Sequence, residues 1–383
     1  MNIYKKYKIF IQLSILCLPY FCCNIKFLLI PYIRNHEFKK IENYLKICNN
    51  PELLEIKPKI SNNPKVSIIS PVYNTGKFVL RLIKSIQYQN FKDLEIILID
   101  DSSTDNSPKL IKKYQAKDER IRLIVNKKNK GTFSSRNIGI LKSKGNYIMI
   151  PDPDDIILED SLKYFYYFSM KYNLELLRFN VYLNYGQTFF GEITENLKSR
   201  LIYQPELSTY LFYGLGVLKQ IDFNLCNKFI KREALIRGLN IIDKKDLNMY
   251  MVVHEDGFLN YILYRIAKSS YFLKKFGYYY IKNNYKKRRD YHDFDNIKFR
   301  FIHLMSVFNN SRNTKYEKDM TNEIFNRLIY KKRKKIRLFL LNKEPKFFID
   351  AINILNQNDF FLIKYKIYLK TFSNYFSKHN KNI

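Results

Sequence analysis

The chain has 383 residues, with 67 Lys and Arg against 35 Asp and Glu, a formal net charge of +32 and no Trp. That length suffices for one large domain with appendages or for two domains, and the charge would suit nucleic acid, an anionic membrane face or a phosphorylated ligand. Lys, Asn, Ile and Tyr are abundant throughout, which reads as a chain-wide bias with no RNA- or DNA-binding signature, while Cys17, Cys22, Cys23, Cys48 and Cys226 show neither zinc spacing nor a disulfide framework.

Lys5, Lys6 and Lys8 precede an uncharged apolar run from Ile9 to Ile25, which Lys26 interrupts before a further apolar stretch to Ile33. Residues 1–33 are expected to form an uncleaved single-pass membrane anchor, a cleaved signal segment or an interfacial helix being the alternatives. Its orientation stays open, since Arg34, Lys39 and Lys40 place basic residues on the other flank as well. Residues 34–64 then read as a stem that ends in the turn-rich Ser61-Asn62-Asn63-Pro64.

Beyond the stem the pattern becomes regular. Val66–Ser70 is a continuous apolar strand signal, and Lys77–Gln89 places Phe78, Leu82, Ile83 and Ile86 on one helical face. A second buried strand, Leu94–Ile99, ends at Asp100-Asp101. Ser107-Pro108 offers an N-cap and a first-turn proline to a helix carrying Leu110, Ile111 and Tyr114. The strand Ile121–Val125, a helix from about Ser134 to Lys142 and the strand Tyr147–Ile150 complete an alternation typical of an open α/β sheet with parallel strands. Ligands of such sheets bind outside the carboxyl ends of the strands. Here three of those ends carry polar groups: Pro71 to Asn74, Asp100 to Asp105, and Asp152 to Asp155.

The last of these, in the run YIMIPDPDD, packs Asp152, Asp154 and Asp155 around Pro153. Like charges so close repel unless a cation, most simply a hard divalent one, sits among them; the alternative is an acidic turn that caps the next helix.

The stretch from Val66 to Asp160, with VSIISPVYN, LIDDSSTDNS and NKGTFSSRNIGILKSKGNYIMIPDPDD in that order, resembles the family 2 glycosyltransferases. The resemblance implies a GT-A fold, that is, a Rossmann-like and mostly parallel sheet with helices on both faces. It also implies a nucleoside diphosphate sugar donor and Mn2+ or Mg2+ as cofactor. Carried over residue by residue, Tyr73 would stack on the nucleobase and Asp101 would accept from its edge, with core packing and a turn cap as the respective alternatives. Arg136 and Asn137 match the donor-side Arg-Asn pair. Asp154 would ligate the metal, Asp152 would lie toward the ribose or the metal, and Asp155 would support both. In MVVHEDGFLNYIL, Asp256 matches the catalytic base and Glu255 its neighbour, with a helix-start acidic pair as the alternative. His254 is a weaker candidate for a third metal ligand. Asn227, Lys228 and Arg232 are possible acceptor-side contacts, a solvated basic helix start being the other reading.

Two departures stand out. The QxxRW motif of processive synthases is missing from a chain without Trp, so a single transfer is preferred, and Pro153 replaces a small polar residue of the family pattern. The expected organisation is an anchor at 1–33, a stem at 34–64, a glycosyltransferase domain at 65–280 and a basic helical region at 281–383. Within the domain, 65–160 forms the nucleotide-sugar half and 161–280 the acceptor half. A glycan, protein or lipid could be the acceptor. The competing reading is a catalytically eroded protein that binds nucleotide sugars or a partner.

Overall fold

The computed structural model describes residues 61–185, 188–191, 201–203 and 224–281, apart from 243, 245, 249 and 252–254, together with helical residues at 43–44 and 46–48. The segments expected to form the anchor and the basic C-terminal region lie outside the described residues. No helix among the described residues is long and apolar enough to cross a membrane.

In chain order the elements are β1 (Val66–Val72), α1 (Phe78–Gln87), β2 (Leu94–Asp100), α2 (Ser107–Gln115), β3 (Ile121–Val125), α3 (Gly131–Lys142), β4 (Tyr147–Met149) and β5 (Ile156–Ile157). They continue with α4 (Ser161–Lys171), β6 (Leu176–Tyr185), β7 (Thr188–Gly191), β8 (Leu201–Tyr203), β9 (Lys228–Lys231), α5 (Arg232–Leu239), α6 (Glu255–Ile266) and β10 (Ser269–Ile281), with a 3-10 turn at Asp246–Asn248 before α6.

The sheet runs β3-β2-β1-β4-β9-β6-β10-β5, with β7 beside β6 and β8 beside β10. Its first half is parallel, β1 lying between β2 and β4. Strand β9 enters antiparallel to both β4 and β6, and so joins the parallel half to a mixed one. The carboxyl ends of β2, β1 and β4 are therefore neighbours on one rim.

Period-two alternation sorts each central strand between two cores. Val66, Ile68, Ile96 and Leu98 meet α1, α2 and α4 on one face; Ile69, Ile97 and Ile99 meet α3, α5 and α6 on the other. Full burial of each such side chain contributes about 1.5–3 kcal/mol. Both faces are covered, as a parallel sheet requires.

Local differences from the sequence reading have simple causes. Val79 fills the α1 position in the core, while Phe78 turns outward beneath the Arg81 guanidinium, 4.7 Å from its ring centroid. Helix α3 starts at Gly131, a turn earlier than the apolar pattern suggests. Gly139 on this helix lets it settle on the sheet, because a Cβ there would lie 2.3 Å from Ile69 Cγ2 and 2.8 Å from Ile99 Cδ1. In the stretch assigned to a stem, Tyr44 and Cys48 are buried against Ile156 and Tyr279, with the Tyr44 hydroxyl 3.1 Å from the Ser85 carbonyl oxygen and 3.2 Å from that of Ile157.

Candidate active site

The first two rim loops are tied together by side chains that only their turns can present. Asn74, at φ 50°, donates its amide to Ser103 Oγ at 3.0 Å, and its own Oδ1 accepts the Thr104 amide at 2.8 Å. Gly76 donates to Asp105 Oδ2 and Ser107 Oγ, both at 2.8 Å. Ser107 is thus the first residue inside α2, and its hydroxyl holds the neighbouring loop; the N-cap position falls to Asn106. Beside this brace Tyr73 is 37% exposed, the condition for a stacking platform and not for core packing.

Asp101 is held in the rim by the loop that follows β3. Its Oδ1 accepts from Asn126 Nδ2 and the Lys130 amide, and its Oδ2 from the Gly131 amide, all at 2.8 Å. The carboxylate organises the 126–131 loop and the start of α3. Its neighbour Asp100 accepts the Ser103 amide at Oδ2 over 3.2 Å, while its Oδ1 is buried and meets no donor among the described residues.

Gly131 sits at φ 84°, and a Cβ there would come within 2.9 Å of the Met251 nitrogen and 3.0 Å of its oxygen. This close approach, with the Phe133 amide donating to the Met251 carbonyl at 3.0 Å, fastens α3 to the chain that leads into α6. Gly131→Ala is expected to cost about 2–4 kcal/mol, combining left-handed strain with overpacking against backbone that cannot move aside. It should also weaken nucleotide binding. A variant with unchanged melting temperature and unchanged affinity would remove Gly131 from this account.

Arg136, 2% exposed, projects from α3 into the centre of the site. Its Nη2 donates to Asp152 Oδ1 at 3.0 Å, and its Nη1 donates to Glu255 Oε1 at 3.1 Å and to Asp256 Oδ1. Burial by itself would lower the guanidinium pKa, but the charges of Asp256, Glu255 and Asp152 more than offset it and hold the group above its ordinary value. Glu255 is pushed up to about 7, by burial first and by the Asp256 charge second, against the pull of Arg136. The Glu255 and Asp256 side chains differ in access, at 10% and 31% exposed respectively. Both lie in the first turn of α6, where the helix dipole favours negative charge. The helix-start position of this pair and its contacts to Arg136 thus coexist.

The acidic loop has its own support. The Asp155 amide donates to the Asp152 carbonyl at 3.3 Å, closing a four-residue turn with Pro153 at its second position, where a φ near −65° is wanted. That accounts for Pro153. The Tyr278 hydroxyl accepts the Asp152 amide at 2.9 Å and donates to Asp155 Oδ2 at 2.8 Å, while the Ile281 amide donates to Asp155 Oδ1 at 2.8 Å. Asp155 is thus a structural group. Burial, then the charges of Asp154 and Asp152, push its carboxyl well above the ordinary range. Tyr278 was not legible as a site residue, since nothing distinguishes it within an aromatic run of β10.

That accumulated negative charge fits a divalent cation near Asp152 and Asp154. Among the described residues no group of three or more His, Cys, Asp or Glu side chains is arranged to hold a metal, so two carboxylates would leave the remaining positions to phosphate oxygens and water, as Mg2+ commonly accepts. His254 lies outside the described residues.

The acceptor-side candidates make internal contacts. Asn227 and Lys228 are buried at the start of β9, not on a solvated helix, and Lys228 Nζ donates to Asn227 Oδ1 at 2.9 Å and to the Asn224 carbonyl. Arg232 Nε donates to the Ser143 carbonyl at 2.8 Å, clamping the end of α3. Asn137 ties α3 to the 3-10 turn through Nδ2 and the Leu247 carbonyl at 3.0 Å.

A parallel half with a braced rim, joined by one buried arginine to a second acidic site on a mixed half, defines a GT-A-like α/β domain. The crystal structure of S. aureus TarS residues 1–349 shares this fold, with a TM-score of 0.55 at 20% identity over 76% of this chain and 79% of that one. A glycosyltransferase of Haemophilus influenzae is 32% identical over 182 residues, 47% of this chain and 68% of that protein. Glycosyltransferase GlyG of Streptococcus pneumoniae is 34% identical over 123 residues, 32% of this chain and 40% of that protein. TarP of Staphylococcus aureus, a poly(ribitol-phosphate) beta-N-acetylglucosaminyltransferase, is 32% identical over 213 residues, 50% of this chain and 63% of that protein. The chain thus spans less than two thirds of the length of GlyG and of TarP. The family model for glycosyl transferase family 2 matches residues 67–238. The chain belongs to glycosyl transferase family 2.

Proposed function

We propose that the protein moves a sugar from a nucleoside diphosphate sugar, UDP-linked, to an acceptor hydroxyl, with inversion and in a single transfer. The observation that carries this reading is the Arg136 bridge, which sets the acid-loop carboxylate Asp152 and the α6 carboxylates Glu255 and Asp256 around one cation. TarS has been crystallised with UDP-GlcNAc, and the β linkage in the activity of TarP is what inversion of an α-linked donor would make; both support the donor class and the stereochemistry.

In this reading Tyr73 stacks on the base, and the strand-end acceptors of Asp100 and Asp101 lie toward its imide N–H. Mn2+ or Mg2+, held by Asp154 and Asp152, would neutralise charge growing on the departing diphosphate. Asp256 is the more exposed α6 carboxylate and takes the proton of the incoming hydroxyl. Arg136 orients it, and buried Glu255 completes the cradle. An anchor at residues 1–33 would hold the enzyme at a membrane.

The test is a panel of nucleotide sugars offered to the purified full chain in Mn2+ or Mg2+, with and without chelator. Slow release of UDP from one donor, lost on chelation, is expected. Normal UDP binding with no hydrolysis or transfer from any donor would reject the enzyme assignment.

A further inference from the structure

We propose that the outer face of α4 and the adjoining part of β10 rest on an anionic membrane surface. Helix α4 buries Leu162, Phe165 and Tyr166 against the sheet, as an amphipathic helix should. Its opposite face sets large aromatic and apolar side chains among Lys163 and Lys171. Tyr164, Tyr167 and Met170 are 45%, 54% and 49% exposed, and Tyr172, just past the helix, is 42% exposed.

These side chains form a supported platform. Phe168 lies 6.0 Å from the Tyr164 ring, 4.8 Å from Tyr172 and 5.0 Å from Tyr271 of β10, and the Tyr172 and Tyr271 rings are within 7° of parallel. Cations stand around it. Lys275 Nζ is 5.0 Å from the Tyr164 ring centroid and Lys171 Nζ is 5.5 Å from that of Tyr172, and Lys163 is exposed on the same helix. Glu159 and Asp160 are exposed at the N-terminal end of α4, so the basic character belongs to its flank and C-terminal end.

Tyrosine rings favour the boundary between headgroups and hydrocarbon, while lysines reach lipid phosphates from the same depth. A second copy of the chain fits this face less well: like lysines would oppose one another, on molecules that each carry +32. Charge complementarity therefore selects an anionic bilayer. Strand β10 runs on from this face to Tyr278, which holds the acid loop, so docking here would fix the orientation of the site toward the bilayer.

The chain contains no Trp, so a single reporter can be placed cleanly. Tyr167→Trp marks the proposed face, and Leu141→Trp, on α3 across the sheet, marks the opposite one. The full-length variants are mixed with phosphatidylcholine vesicles that contain brominated chains, with or without phosphatidylglycerol. The Y167W signal should fall about twofold or more on anionic vesicles only, and the L141W signal should stay constant. Adding K163E, K171E and K275E should bring quenching of Y167W down to the L141W level, with nucleotide-sugar hydrolysis and circular dichroism unchanged. Vesicle-bound protein with unquenched Y167W would overturn the proposal, as would no vesicle binding at all. A blue shift that grows with protein concentration in the absence of lipid would assign the face to a second copy and overturn it too. Loss of hydrolysis in the unsubstituted chain would bear on the enzyme assignment alone.

Discussion

Arg136→Met should lose about 3–5 kcal/mol of stability and all measurable turnover. Removing one partner from a buried ionic cluster leaves the others uncompensated, and here Asp152, Glu255 and Asp256 would face one another without their shared cation. The deficit should depend on pH with a definite sign. Glu255 is already pushed up to about 7, so in the folded protein it holds a proton that the unfolded chain has released over the range between ordinary carboxylate values and neutrality. Folding that binds the extra proton is favoured as pH falls through that range and disfavoured as it rises. Without Arg136 the same tendency strengthens, so the variant should recover part of its lost stability between about pH 8 and about pH 5. Denaturant titrations across that range measure it. Arg136→Lys keeps the charge but cannot span both sides, and should recover stability better than turnover. A Met variant as stable and active as the parent would mean that the bridge does not hold the site together.

The second large effect is expected at Asp256. Asp256→Asn should lower kcat by about 10²–10⁴-fold, the usual worth of a positioned general base, with the donor KM changed only a few-fold. Asp154→Asn should behave in the opposite sense, raising the metal and nucleotide concentrations needed for half-saturation. Asp256→Asn also removes the charge that helps to raise Glu255, so the Glu255 titration should move down from about 7. If Asp256→Asn left kcat intact while Asp154→Asn abolished it, the proton would have to be taken elsewhere.

The parallel half was largely legible in the chain itself. Its strands are short uninterrupted apolar runs, buried on both faces, and its helices carry one clear apolar stripe. Boundaries slipped where side chains did unexpected work, as at Ser107, whose hydroxyl braces a loop, and at Gly131, where backbone proximity starts α3 early. The mixed half was much less legible. Strand β10 alternates irregularly through register shifts near Phe276, and its partner β6 is joined to it by contacts no local pattern announces.

The same reason governs the site. Tyr73, Arg136, Asp152 and Asp256 could be picked out through motifs, but their relations could not. Arg136 meets Asp256 across 120 positions of sequence, and Tyr278 meets Asp155 across 123. For Lys228, read as an acceptor-side contact or part of a solvated helix start, burial at the head of β9 rules out the solvated alternative and turns the side chain onto Asn227 and a carbonyl. Asp101 likewise reaches across the sequence, accepting from Asn126, Lys130 and Gly131.

Pro153 has a consequence for how the site meets its ligand. With the ring fixing φ and the Asp155 amide closing the turn, the loop between Asp152 and Asp155 has few alternative shapes to give up. The ordering entropy of the acid loop is then settled when the chain folds, not when a nucleotide arrives. Association at this corner should accordingly be fast and weakly dependent on loop motion. Any slow, conformationally gated step would belong to the acceptor side.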